Sequence, residues 1–204
     1  MTYKLPEGWK EVKLGEVAEY INDKVSIKEC KAGSYISTTN MIQNKGGIVE
    51  ADKLPKSKTV NSFKKKDILI SNIRPYFKKI WFAEFDGTSS TDILVIRGKG
   101  KMNEKFLYYA LSSDTFFEYA TKTAKGTKMP RGDKKAILQY KLPEIDLREQ
   151  KAIADTLSAI DDKIELNNKI NKNLEVQAQA IFKSWFIDFE PLKNGEFVES
   201  ELGM

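Results

Sequence analysis

The chain is 204 residues long, enough for one domain of ordinary size and an appendage. It holds no histidine and one cysteine, Cys30, which excludes histidine catalysis, histidine metal sites and an internal disulfide; the opening MTYKLPEGWK has no apolar run of signal-peptide or membrane-span type, so a reducing cytosol is the expected compartment. The net charge of +5 divides unevenly: residues 1–145 hold 27 Lys and Arg against 17 Asp and Glu, a balance of +10, and residues 146–204 hold 7 against 12, a balance of −5.

A basic front suits a polyanion and an acidic rear suits a protein partner, although a lysine-rich solvated surface also explains the first. Along the front, Cys30 reads as a bystander thiol, since the sequence holds no histidine to activate it. Ser37, Thr38, Thr39 and Asn40 supply short hydrogen-bonding side chains able to read bases or grip phosphate oxygens. Asn44 to Gly47 is a turn, because glycine accepts positive φ at little cost.

Lys64, Lys65 and Lys66 precede an apolar, β-branched run from Asp67 to Ser71 that reads as a buried strand. Arg74 to Lys79 follows it, with Lys78 and Lys79 beside Pro75, Tyr76 and Phe77. Ile80 to Ala83 and Asp92 to Ile96 are two further strands, separated by the break at Asp86 and Gly87. From Asn103 to Tyr119 the spacing of Phe106, Leu107, Ala110, Leu111 and Phe117 predicts one helix. Gly126 to Lys135 is a loop with four cations, Lys128, Arg131, Lys134 and Lys135. A solvated face accounts for each basic stretch singly; their recurrence in loops favours phosphate neutralisation, with arginine able to bind guanine edges bidentately.

Pro143 marks the boundary between a recognition domain of residues 1–143 and a helix of residues 144–190. Asp146, three residues before Glu149, has the spacing of a capping box. A helix from 147 to 189 would be about 60 Å long. Along it Ile153, Leu157, Ile160, Ile164, Asn167, Asn171, Leu174, Ala178, Ile181 and Trp185 alternate steps of four and three, the stripe of a coiled coil. Asn167 and Asn171 at the centre are costly unless they meet each other, which favours antiparallel self-pairing over a fold-back on the first domain. Leu166 and Ile170 form a second strip suited to another protein, and Phe182, Trp185, Phe186 and Phe189 crowd the end as interface anchors. Pro191 stops the helix, and residues 191–204 are expected to be a flexible tail.

No catalytic constellation is present. Gly98 and Gly100 lack the rest of a dinucleotide fingerprint, there is no P-loop, and no serine sits in a nucleophile elbow. The fold class this predicts is α+β: a mixed globular domain followed by a long coiled-coil helix, without internal repeats.

Several segments together resemble the DNA-specificity subunits of type I restriction-modification systems. They are LPEGWKEVKLGEV (5–17), YISTTNM (35–41), DILISNIRPYFKK (67–79), GTKMPRGDKKAIL (126–138), LPEIDLREQKAIADTLSAIDDKIELNNKIN (142–171) and AIFKSWFIDFE (180–190). The resemblance implies a target-recognition domain on a spacer helix, double-stranded DNA as ligand, and docking of modification subunits that methylate adenine with S-adenosylmethionine. It also implies that an ATP-driven restriction subunit can join, and that this chain binds no cofactor and is not itself an enzyme. Family members typically hold two recognition domains and two spacer helices, so this sequence resembles a half-length form. The expected arrangement is a homodimer reading an interrupted palindrome. The alternatives are an inactive or exchangeable cassette that pairs with a different half, and a stand-alone DNA-binding regulator. The recognised bases and the gap length are not encoded in any motif.

Overall fold

The structure, a computed structural model, describes residues 9–193 and 195. Its strands are β1 (Lys10–Lys13), β2 (Ala18–Ile21), β3 (Lys24–Ser26), β4 (Tyr35–Ile36), β5 (Thr59–Phe63), β6 (Ile68–Ser71), β7 (Ile80–Phe82), β8 (Gly87–Ser89), β9 (Ile93–Gly98) and β10 (Lys141–Glu144). The helices are α1 (Leu14–Val17), α2 (Glu104–Leu111), α3 (Asp114–Lys122), α4 (Lys134–Ile137) and α5 (Leu147–Phe182). Two compact units divide the chain, the first ending at Leu157 and the second beginning at Ser158. The fold is α+β.

In the first unit the central sheet runs in the order β2-β9-β6-β7 with every pair antiparallel. β6, β7 and most of β9 read as continuous apolar runs because both faces are covered, and successive side chains point to opposite faces. Ile68, Ile70, Ile80, Leu94 and Ile96 join Leu107, Leu111, Phe116, Phe117 and Ile137 in one core. Leu69, Trp81, Ile93 and Val95 turn the other way, onto Ile36, Met41 and Phe63. Those last residues belong to or flank the second sheet, β3-β5-β8-β4, in which β4 runs parallel to β8. At the edge of the first core, Asp67 is buried and grips Arg97 bidentately, Nε to Oδ1 at 2.7 Å and a terminal nitrogen to Oδ2 at 2.8 Å.

The single helix expected from Asn103 to Tyr119 is two. Asn103 caps α2, accepting from the Phe106 amide, and Ser113 caps α3, accepting from the Phe116 amide, while the Ser113 hydroxyl donates to the Ala110 carbonyl. A serine followed by Asp114 is a helix-start signal in its own right, and it outweighs the apolar spacing that runs across it.

β1 pairs with β10 in a separate two-stranded sheet, Val12 opposite Leu142 and Glu11 opposite Pro143. α5 follows, opened by Asp146, whose Oδ1 accepts from the amides of Arg148 and Glu149 at 2.8 and 2.9 Å. Glu149 adds charge to the first turn but makes no return bond to the Asp146 amide among the described residues. The root of the helix is clipped to the globular unit by Gln150, 6% exposed, which accepts from the Asn103 amide at 2.8 Å and donates to the Ile145 carbonyl at 2.9 Å. Ala154 is buried with Phe106 and Ile145, and Ile153 packs against them.

α5 is an unbroken helix of 36 residues, about 54 Å at 1.5 Å per residue. A π-helical turn, Lys183–Ile187, takes the place of its expected last turns to 189, and a 3-10 turn, Glu190–Leu192, follows. Residue 194 and residues 196–204 of the expected flexible tail lie outside the described residues, as do residues 5–8 of the opening motif. No described helix is long and apolar enough to cross a membrane.

Candidate nucleic-acid interface

Four of the basic or polar stretches converge in the first unit. β6 leads into a tight loop in which Arg74 and Lys78 both take left-handed backbone conformations, φ 51° each, on either side of the 3-10 turn Pro75–Phe77. Asn44 and Lys45 are left-handed too, and their amides donate to the Phe77 and Lys78 carbonyls at 2.9 Å. Such conformations are costly away from glycine and concentrate where the surrounding structure fixes a loop for use. The third stretch joins through the backbone: the Arg74 amide donates to the Pro130 carbonyl at 2.8 Å, and Ile73 bridges Arg131. Gly132 packs closely there: a Cβ would lie 2.8 Å from Asn72 Oδ1 and 3.0 Å from Ile137 Cδ1, so those side-chain ends would have to shift.

The turn at Ser37 closes the group. Lys79 donates from Nζ to the Thr38 carbonyl at 2.6 Å, and Thr38, Thr39, Arg74, Phe77, Lys79 and Met129 line a common cavity of about 240 Å³. Burial pushes the Lys79 ammonium below its ordinary pKa. Asn40 is buried and holds the turn together: Oδ1 accepts from the Ser37 amide and hydroxyl, and Nδ2 donates to the carbonyls of Tyr35 and Val49, both at 2.9 Å. The Ser37 and Thr39 hydroxyls lie 2.7 Å apart.

The cations differ in how far they are already engaged. Lys78 and Lys45 both reach Asp114 Oδ1 at 3.0 Å, and their hydrogen bonds and charge hold that carboxyl below its ordinary pKa. Arg131 contacts Asp92 at 3.1 Å yet stays largely exposed. Arg74 stacks near Phe77, 5.9 Å from the ring centre, with its Nε buried and without a hydrogen-bond partner. Asn72 Oδ1 is likewise buried and unpartnered. Lys128, Lys134 and Lys135 are exposed on the segment that continues through α4. Lys65 is exposed in the turn between β5 and β6, where its amide donates to Asp86, and no contact joins it to the cavity among the described residues. Sequence alone passed over Lys45, Asn72 and Met129; the Asn44 turn was visible, but nothing local places it against Phe77. No group of histidine, cysteine or carboxylate side chains able to hold a metal occurs among the described residues.

On α5 the coiled-coil stripe begins inside the first unit, where Ile153 is half-buried and Leu157 is 37% exposed. In the second unit Ile160, Ile164, Leu174, Ile181 and Trp185 are each more than half exposed, and Asn167, Asn171 and Ala178 are exposed with them. Leu166 and Ile170 are exposed beside the stripe.

Comparison with known proteins places this architecture. The type I restriction modification DNA specificity domain matches residues 6–176. The specificity subunit of the type I restriction enzyme HindI from Haemophilus influenzae is 32% identical over 195 residues, covering 91% of this chain and 42% of that one. That of MjaIX from Methanocaldococcus jannaschii is 31% identical, over 97% of this chain and 48% of the relative. Among solved structures, the HsdS subunit from Thermoanaerobacter tengcongensis has the same fold, with a TM-score of 0.63 at 22% identity over 97% of this chain and 53% of its own. The S subunit from M. genitalium gives 0.64 at 18% identity, over 98% and 58%. The chain spans about half the length of these relatives. Because the match runs through the basic-looped domain and on along most of α5, the chain belongs to the type I restriction-modification DNA-specificity family.

Proposed function

We propose that this chain is a DNA-reading half of a type I specificity subunit, acting in the cytosol without catalytic chemistry of its own. The observation that carries the reading is the convergence of Thr38, Thr39, Arg74 and Met129 on one cavity fringed by exposed cations. Arg74 and Arg131 are suited to base edges, because a guanidinium presents two parallel donors to guanine. Ser37, Thr38 and Thr39 offer hydroxyls at the rim. Lys65, Lys128, Lys134 and Lys135 are suited to phosphates, which set position and affinity rather than sequence. Asn40 and Lys79 hold the loops that present these groups.

Adenine methylation then falls to modification subunits carrying S-adenosylmethionine, and cleavage to a restriction subunit where one is present. The exposed stripe from Ile160 to Trp185 supports pairing of α5 with a second copy, antiparallel so that Asn167 and Asn171 meet. Two identical heads call for a symmetric, interrupted site. Coverage of only half of each relative also favours a second reading, in which the stripe pairs with a different half.

Co-expression with a modification subunit, followed by genome-wide mapping of methylated adenine, tests both. An interrupted palindrome is the expected result. A bipartite site with unlike halves assigns the chain to the second reading, and no methylation with any modification subunit of this class overturns the proposal.

A further inference from the structure

The first unit carries an apolar cavity of about 610 Å³, walled by Trp9, Phe106, Tyr109, Leu142, Ile153 and Leu157 among others. An open apolar cavity of this size marks a place where something binds. At the other end of the chain, Trp185 is 56% exposed and Phe186 62%. Aromatic side chains at such density are interface anchors.

The stripe on α5 says which end meets which. Its centre lies between Asn167 and Asn171. Turned antiparallel about that point, Asn167 faces the partner's Asn171, Ile164 faces the partner's Leu174, and Ile160 faces the partner's Ala178. Continuing outward, Leu157 faces the partner's Ile181 and Ile153 faces the partner's Trp185. The two residues that meet the aromatic end are the two stripe residues that line the cavity. The π-helical turn at Lys183–Ile187 helps. Four α-helical residues overshoot a full turn by about 40°. The wider π turn rotates less per residue, which keeps Trp185 on the same side as Ile181.

We propose that the cavity is the receptor for the aromatic end of a second copy's α5. This rests on the self-pairing proposed above and adds a second contact to it. Each copy brings one cavity and one aromatic end, so a twofold dimer fills both at once. The stripe alone would hold two rods together; the cavities bind each rod's end to the opposite head and fix the heads against rolling about the rods.

Sedimentation of the full chain tests this, with Trp185→Ala removing the anchor and Ala110→Trp filling the cavity from its α2 wall. Losing a hot-spot aromatic weakens an interface about 30-fold, and two symmetric sites make that on the order of 1,000-fold in the dimer dissociation constant. The double variant should lose no more than either single one, because both remove the same contact. Independently of how Ala110→Trp folds, a chain bearing Tyr109→Cys mixed with one bearing Trp185→Cys should form an interchain disulfide on oxidation, Cys30 being buried. Wild-type dimers with unchanged constants in the variants and no crosslink overturn the docking while leaving self-pairing in place. A wild-type chain that stays monomeric at micromolar concentrations overturns both. A disulfide that forms only within one doubly substituted chain also overturns the docking, since the cavity then takes its own helix end.

Discussion

Asn40 shows how a residue of the right type for DNA can be committed elsewhere. Its four hydrogen bonds tie Ser37, Tyr35 and Val49 into one turn, so Asn40→Ala removes one buried and three partly buried bonds at once. The expected loss is about 3 kcal/mol in urea unfolding. By contrast, Arg74→Ala and Arg131→Ala should leave stability nearly intact and weaken specific DNA binding by about 1–3 kcal/mol each, measured by titration at fixed salt. Asp114 contacts Lys45 and Lys78, and in the proposed interface it would lower the positive charge offered to phosphates. Asp114→Asn should therefore steepen the salt dependence of DNA binding by up to about two phosphate contacts. The sign with pH follows: the folded carboxyl titrates below its ordinary 3.8, so the ion pairs stabilise the fold above that value and are lost as pH falls through the lower folded one. The variant should be insensitive in that acid window, which a pH series of thermal unfolding would show.

Among the elements, those with a strong local signal were legible. The runs at Ile68, Ile80 and Ile93 are strands because apolar, β-branched residues there fill both faces of one sheet. The stripe of α5 and the Asp146 cap likewise declare themselves over a few turns. β1, β2, β3, β5 and β8 were not legible: they are short and largely polar on one side, and their partners lie far along the chain. β1 finds β10 across about 130 residues, a pairing that no local pattern announces. The candidate site was legible as a set of loops but not as a place, because the contacts that assemble it are backbone hydrogen bonds between Lys45 and Lys78 and between Arg74 and Pro130. The length of α5 carries its own prediction. Seven residues inserted between Asn167 and Asn171 preserve the stripe and its symmetry about the centre and lengthen each rod by about 10 Å, so the gap between half-sites should grow by about three base pairs in methylation of spaced targets. An unchanged gap would remove the rod as the ruler.

At the scale of the whole molecule, the pairing of β1 with β10 has a consequence for how such proteins change. Lys13 and Lys141 sit opposite each other, so the polypeptide enters and leaves the segment that carries the candidate interface at adjacent points. A segment bounded that way can be transplanted like a bulb into a socket. Residues 14–140 of a relative, grafted between these two strands, should fold, keep the pairing behaviour of α5, and move methylation to the donor's half-site. On the function proposed above, recombination confined to that narrow seam would exchange the half-site that is read and leave the helix that pairs unchanged.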